Sequence, residues 1–288
     1  MPYQDHFIYT NKIRLHFIEY KTKKNLPKLL LLHGLTANAH TFDGLVHRGL
    51  AERFHLLIPD LRGRGHSDKP EFNYSLRHHA KDIIGMLDQL GIDQIAIAGH
   101  SFGGLLSVFL AVHYPERVSK IIIIDAAAEM NNKAVLMLQP VLKRLERTFD
   151  SFEAYLNYMK ASPTLNFWED VMTTYYRADV QTLADGKVRT YPSLAKMIKV
   201  SIGVYSQPWR RYFQDVQQPA LLINATDVYN LNEPLLPESK AKESARYLRQ
   251  GSYLQVQGNH QTMLYGNGAA QIMEAITQFA KEEVLVFA

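Results

Sequence analysis

The sequence predicts an α/β protein, a mostly parallel sheet with helices on both faces and a helical block inserted into it. Two observations predict this. Short, continuous apolar runs, which suit strands buried on both faces, alternate with stretches of helical period in the first third and the last quarter of the chain. Between about Glu129 and Phe213 that rhythm stops and helical periods alone remain. The simplest arrangement is a core of residues 1–128 and 214–288 with a helical cap, residues 129–213, inserted above the sheet.

Each element follows from its pattern. Ile13–Tyr20 (IRLHFIEY) alternates apolar and polar side chains, as a half-buried strand does. The basic patch KTKK at 21–24 is expected as a solvated turn between strands. Leu29–Leu32, His55–Pro59, Gln94–Ala98 and Lys120–Ile124 are the buried strands. Leu76–Leu90 is an amphipathic helix, on which His78 and His79 are expected at the surface. A second helix, SFGGLLSVFLAVHY, opens at Ser101. In the inserted block the helical stretches are VLMLQPVLKRLERTF, SFEAYLNYMK, FWEDVMTTYY and LAKMIKVSIGVY. Pro219–Asn224 then begins a strand, Glu238–Arg249 is helical, Tyr253–Gln257 is a strand, and a last helix runs from about Ala269 to Lys281.

Composition narrows the function. A chain of 288 residues can build one large core. Its 32 Lys and Arg are interspersed with 28 Asp and Glu, so no basic face for nucleic acid is gathered. There is no cysteine, which removes disulfides, thiolate metal sites and a cysteine nucleophile. No apolar run approaches the roughly 20 residues that span a bilayer, and the start MPYQDHFIYT lacks a secretory pattern. The expected setting is cytoplasmic and the expected partner a small molecule, with oligomeric state open.

The stretch AIAGHSFGGLL places Ser101 between Gly99 and Gly103, after a strand and before a helix. A serine on that sharp turn stands at the carboxyl end of the sheet, where open α/β sheets bind ligands. The flanking glycines meet the steric demand of a strained elbow. A serine needs a base and an acid to become a nucleophile. Of 12 histidines, His260 in QGNH follows the strand YLQVQ on the same edge as Ser101. For the acid, Asp227 in the turn ATDVYN ranks ahead of Asp125, after KIIII, and Glu233, because its strand comes just before the histidine strand. The order Ser101, Asp227, His260 is that of a strand–turn–helix serine hydrolase. The oxyanion donors are expected to be the backbone N–H groups of Phe102, at the helix mouth, and Leu35, in the turn His33-Gly34-Leu35.

Taken together, LLLLHGLTAN, IPDLRGRGHSDKP, AGHSFGG, PALLINATD and GNH resemble the α/β-hydrolase superfamily, in the family's order and over nearly the whole core. The resemblance implies an α/β-hydrolase fold: an eight-stranded, mostly parallel sheet with a helical cap, no metal and no organic cofactor. It supports Ser101, Asp227 and His260 as triad and Leu35 and Phe102 as oxyanion donors, with Arg62 and Arg64 of the glycine-rich loop as structural residues. Three departures stand out: Asn224 where the acid turn usually opens with glycine, Asn259 between Gly258 and His260, and no acidic residue and proline after the histidine.

A serine rather than an aspartate at the elbow points away from dehalogenase and epoxide-hydrolase chemistry and toward acyl transfer. The cap holds both tryptophans, Trp168 and Trp209, with Met130, Met137, Met159, Met172 and Met197, which suit an apolar pocket wall or the packing of the cap itself. Arg210 and Arg211, also in the cap, could meet a carboxylate or face water. The expected activity is a carboxylesterase on small to medium apolar esters. The alternatives are a carbon–carbon bond hydrolase of ring-cleavage products, a lactonase, a haloperoxidase-like enzyme, or, from another class, a ligand receptor that keeps the triad.

Overall fold

A computed structural model of the chain describes residues 2–22 and 25–281. The core strands are β1 (Gln4–Thr10), β2 (Ile13–Tyr20), β3 (Lys28–Leu32), β4 (His55–Pro59), β5 (Ile95–His100) and β6 (Val118–Ile124). After an inserted segment carrying β7 (Thr148–Phe149), β8 (Val180–Thr182) and β9 (Val188–Thr190), the core resumes with β10 (Ala220–Ala225) and β11 (Gly251–Val256). The eight core strands form one sheet in the order β1-β2-β4-β3-β5-β6-β10-β11. Pairing is antiparallel from β1 to β4 and parallel beyond. This is the α/β-hydrolase fold that the motif order implied.

The continuous apolar runs mark strands covered on both faces. Leu29–Leu32 and Ile121–Ile124 are all fully buried, and alternate residues feed opposite layers. Leu30, Leu32, Ile121 and Ile123 join one core cluster, while Leu29, Leu31, Ile122 and Ile124 join the other. The period of two in a strand makes that division automatic. Strand β1 escapes the sequence pattern because it is an edge strand with Phe7 and Tyr9 exposed. Its link to β2 is a two-residue turn, Asn11-Lys12, with both φ positive, as tight hairpins prefer. Of the KTKK patch, Lys23 and Lys24 lie outside the described residues.

The inserted segment is not purely helical. Strands β7, β9 and β8 form a small antiparallel sheet. The tight turn between β8 and β9 contains Asp185-Gly186, with Gly186 at φ 81°, a hairpin signal that the helical periods on either side obscure. The stretch VLMLQPVLKRLERTF is two short helices, Ala134–Met137 and Gln139–Lys143, then a 3-10 turn and β7. Pro140 falls in the first turn of the second helix, where a proline is tolerated, and prevents one long helix. Among the described residues no helix is long and apolar enough to cross a membrane.

Candidate active site

Ser101 stands between the end of β5 and the helix Phe102–His113, at φ 55° and ψ −117°. This strained backbone presents the side chain above the sheet. The flanking glycines are sterically required: a Cβ on Gly99 would lie 2.1 Å from the Gly103 carbonyl oxygen, and one on Gly103 would lie 1.9 Å from that of Leu32.

His260, in the loop after β11, places Nε2 3.1 Å from Ser101 Oγ. Its Nδ1 lies 2.7 Å from Asp125 Oδ2. With Nδ1–H donating to the carboxylate, Nε2 is free to take a proton from the serine. Asp125 follows β6, is fully buried, and sits at φ 50°. The carboxylate brought to His260 is therefore Asp125, a correction to the ranking that favoured Asp227. Asp227 is exposed beyond the end of β10, and its backbone N–H donates to Gly258 O at 3.1 Å. Its side chain lines a separate surface hollow with Arg48, Gln257 and Asn267. Glu233 instead pairs with Lys133 and Asn131.

The two asparagines that depart from the family pattern build this arrangement. Asn224 Nδ2 donates to Asp125 Oδ1 at 2.9 Å, and the Ala225 N–H donates to the same oxygen at 3.0 Å. One carboxylate oxygen is thus held by β10 and the other is left for the imidazole. Asn259 ties the histidine loop in place: its Nδ2 donates to Thr164 O in the inserted segment and to Val228 O, while its Oδ1 accepts from the N–H groups of Gln261 and Thr262. His100, next to the serine, donates from Nε2 to the His260 carbonyl at 2.8 Å. Burial and the nearby His260 hold its pKa well below the ordinary histidine value.

The loop after β3 is set by His33. Its Nε2 accepts from the Leu61 N–H at 3.0 Å, so Nδ1 carries the proton and donates to Gly34 O at 2.8 Å. That bond orients the Gly34–Leu35 peptide, whose N–H is the expected oxyanion donor. Full burial lowers the His33 pKa to about 4, which keeps this neutral form at neutral pH. Arg64 Nε supports the same loop through Leu35 O at 2.8 Å, and its Nη1 lies 2.8 Å from His79 Nε2. His79 is therefore fully buried rather than at the surface, because it partners a buried guanidinium. Arg62 pairs with Asp82 on the same helix. Phe102 is the first residue of its helix, so its N–H has no intrahelical acceptor.

Two cavities meet at the serine. One, of about 110 Å³, is lined by Ser101, His260, His100, Leu35, Arg144 and Tyr175 among others. The other, of about 100 Å³, is walled by Phe102, Leu105, Met130, Leu138, Val204 and Leu235 beside Ser101.

A family profile described as alpha/beta hydrolase fold matches residues 27–264. The chain belongs to the α/β-hydrolase family. It is 30% identical to the 2-(acetamidomethylene)succinate hydrolase of Mesorhizobium japonicum, over 76% of this chain and 78% of that one. A crystal structure of E-2-(acetamidomethylene)succinate hydrolase superposes with a TM-score of 0.84 at 26% identity, covering 98% of this chain and 100% of that one. The enol-lactonase of Burkholderia xenovorans shares the fold, with a TM-score of 0.71 at 20% identity over 96% and 100% of the two chains. This α/β-hydrolase is an enzyme, a hydrolase.

Neither tryptophan of the α/β-hydrolase lines the two cavities at Ser101. Trp168 stacks on Tyr176 with centroids 5.4 Å apart, and Trp209 is buried in the core with Nε1–H donating to Val204 O. Both serve packing. Arg210 lies over the Tyr247 ring and Arg211 faces Asp215 at the surface. The cation that the inserted segment brings to the site is Arg144, which sequence reasoning passed over. In LKRLERTF it looks like any solvated charge; its burial follows from Asp179, far along the chain, whose carboxylate is 3.2 Å from Nη2. Burial works against the Arg144 charge, but Asp179 and the surrounding tyrosines outweigh it and hold its pKa above the ordinary value.

Proposed function

We propose that this α/β-hydrolase is a serine acyl hydrolase that works through Ser101, His260 and Asp125 and an acyl-enzyme intermediate. The observation that carries the reading is the continuous relay from Asp125 Oδ2 to His260 Nδ1 and from Nε2 to Ser101 Oγ, at 2.7 and 3.1 Å. Ser101 Oγ attacks the substrate carbonyl while His260 Nε2 takes its proton. Asp125 stabilises the imidazolium and keeps the productive tautomer. The Leu35 and Phe102 N–H groups receive the oxyanion; one such donor is worth on the order of 10²–10³ in turnover. His260 then protonates the leaving group, and water, activated by the same base, releases the acid.

Residues 129–213 act as a cap, since Leu138, Val141, Leu142, Arg144, Met159 and Tyr175 form one side of the catalytic cavity. The apolar second cavity suits small to medium carboxylic esters, which are the substrates of this reading. The test is labelling with a fluorophosphonate probe and turnover of aryl esters. Both are expected in the natural protein and absent from Ser101→Ala; undiminished labelling of that variant refutes the assignment.

A further inference from the structure

Arg144 is almost wholly buried, 2% exposed, yet two of its three guanidinium nitrogens have no hydrogen-bond partner. Nη2 meets Asp179 Oδ2 at 3.2 Å and, more weakly, Thr36 O at 3.4 Å, and the Tyr175 hydroxyl also interacts with the guanidinium. Nε and Nη1 together carry three of the five guanidinium protons. Buried donors of a charged group left unmatched are costly, and such groups are normally satisfied. Arg144 lines the same cavity as Ser101 and His260.

The cavity lining contains no aspartate or glutamate, so no carboxylate there competes for those donors. Asp179 stands behind the guanidinium and is itself held by the Tyr155 hydroxyl. That arrangement fixes Arg144 in place while Nε and Nη1 keep no hydrogen-bond partner. The hydroxyl-bearing Tyr175 and Thr41 line the cavity with it. A planar, delocalised cation with unpartnered N–H groups matches a carboxylate better than it matches a neutral group.

We propose that the substrate of this hydrolase carries a carboxylate in addition to its scissile acyl group, and that Arg144 binds that carboxylate. The proposal rests on the serine-hydrolase reading above and names the substrate class for the same site. The apolar cavity on the other side of Ser101 then takes the uncharged part of the substrate. The substrate is two-ended, with its anionic end under the cap.

The experiment compares two aryl esters with one leaving group, the hemisuccinate and its neutral succinamic counterpart, in which a carboxamide replaces the carboxylate. The natural protein is expected to prefer the hemisuccinate in kcat/KM by about tenfold to a hundredfold, the value of a charge-assisted hydrogen bond over a neutral one. A ratio near one overturns the proposal. In Arg144→Met combined with Asp179→Asn, which removes both buried charges together, the ratio is expected to fall to near or below one; persistence of the preference also overturns it. Should that variant not fold, protection of the natural protein decides. Succinate is expected to slow fluorophosphonate labelling of Ser101 at concentrations where succinamide does not, and equal protection by both overturns the proposal. Failure of the serine reading is separately visible, as labelling that survives Ser101→Ala.

Discussion

Asp125→Asn should cost this enzyme about 10⁴ in kcat, or roughly 5 kcal/mol of transition-state stabilisation. The reason is specific to how the carboxylate is held. Oδ1 receives two donors, Asn224 Nδ2 at 2.9 Å and the Ala225 N–H at 3.0 Å. An asparagine at this position must keep its carbonyl oxygen there, because an NH₂ group would face two N–H groups. Its NH₂ is then turned toward His260 Nδ1, now 2.7 Å from Oδ2. A donor at that place forces Nδ1 to accept and puts the ring proton on Nε2, which faces Ser101. The base is disabled while the packing is nearly unchanged. Steady-state ester hydrolysis, with thermal unfolding as a control, checks this, and Asp227→Asn in parallel should lose less than about threefold, since surface changes rarely matter. The reasoning is refuted if Asp125→Asn keeps a tenth or more of the activity, or if the loss falls on Asp227→Asn instead.

Two further outcomes follow from the same contacts. Asn224→Ala removes one of the two donors to Asp125 Oδ1 and should lower stability by about 1–2 kcal/mol and kcat by about tenfold, read by urea unfolding and ester turnover. For pH, the His33 pKa is lowered to about 4 on folding, so between its ordinary value and about 4 the unfolded chain binds the extra proton. Stability from this residue is therefore complete above the ordinary histidine pKa and falls as pH drops through that window, by at most about 3 kcal/mol. Buried His79 and His100 are shifted the same way. The urea midpoint should drop steadily from neutral pH to about pH 4; a flat profile counts against neutral buried histidines.

The fold was legible because its signal is local. Runs such as KIIII and QIAIA declare strands buried on both faces, and the glycines around Ser101 declare a backbone approach that a Cβ would block. The nearness of His260 to Ser101 was legible for the same reason, since His260 lies in the loop that follows its strand. What stayed hidden depended on long-range pairing. Whether Asp125 or Asp227 meets the imidazole turns on how β6, β10 and β11 end relative to one another, which apolar periodicity does not encode. Arg144 and His79 look solvated until their partners, Asp179 and Arg64, are brought to them.

The position of the proposed acid and the identity of residue 224 are one choice. β10 lies between β6 and β11, so a carboxylate at the end of β6 must reach across β10 to meet a histidine that follows β11. A side chain from β10 must then either stay out of the way or take part. Asn224 takes part: its Nδ2 holds Asp125 Oδ1, and its Oδ1 accepts from the Tyr253 hydroxyl of β11 at 3.2 Å. The three strands that form this side of the site are thereby cross-linked through side chains. A glycine at 224 would leave Asp125 with fewer donors and free to turn away from His260. Asn224, a departure from the family pattern, is therefore itself a sign that the proposed acid comes from the preceding strand.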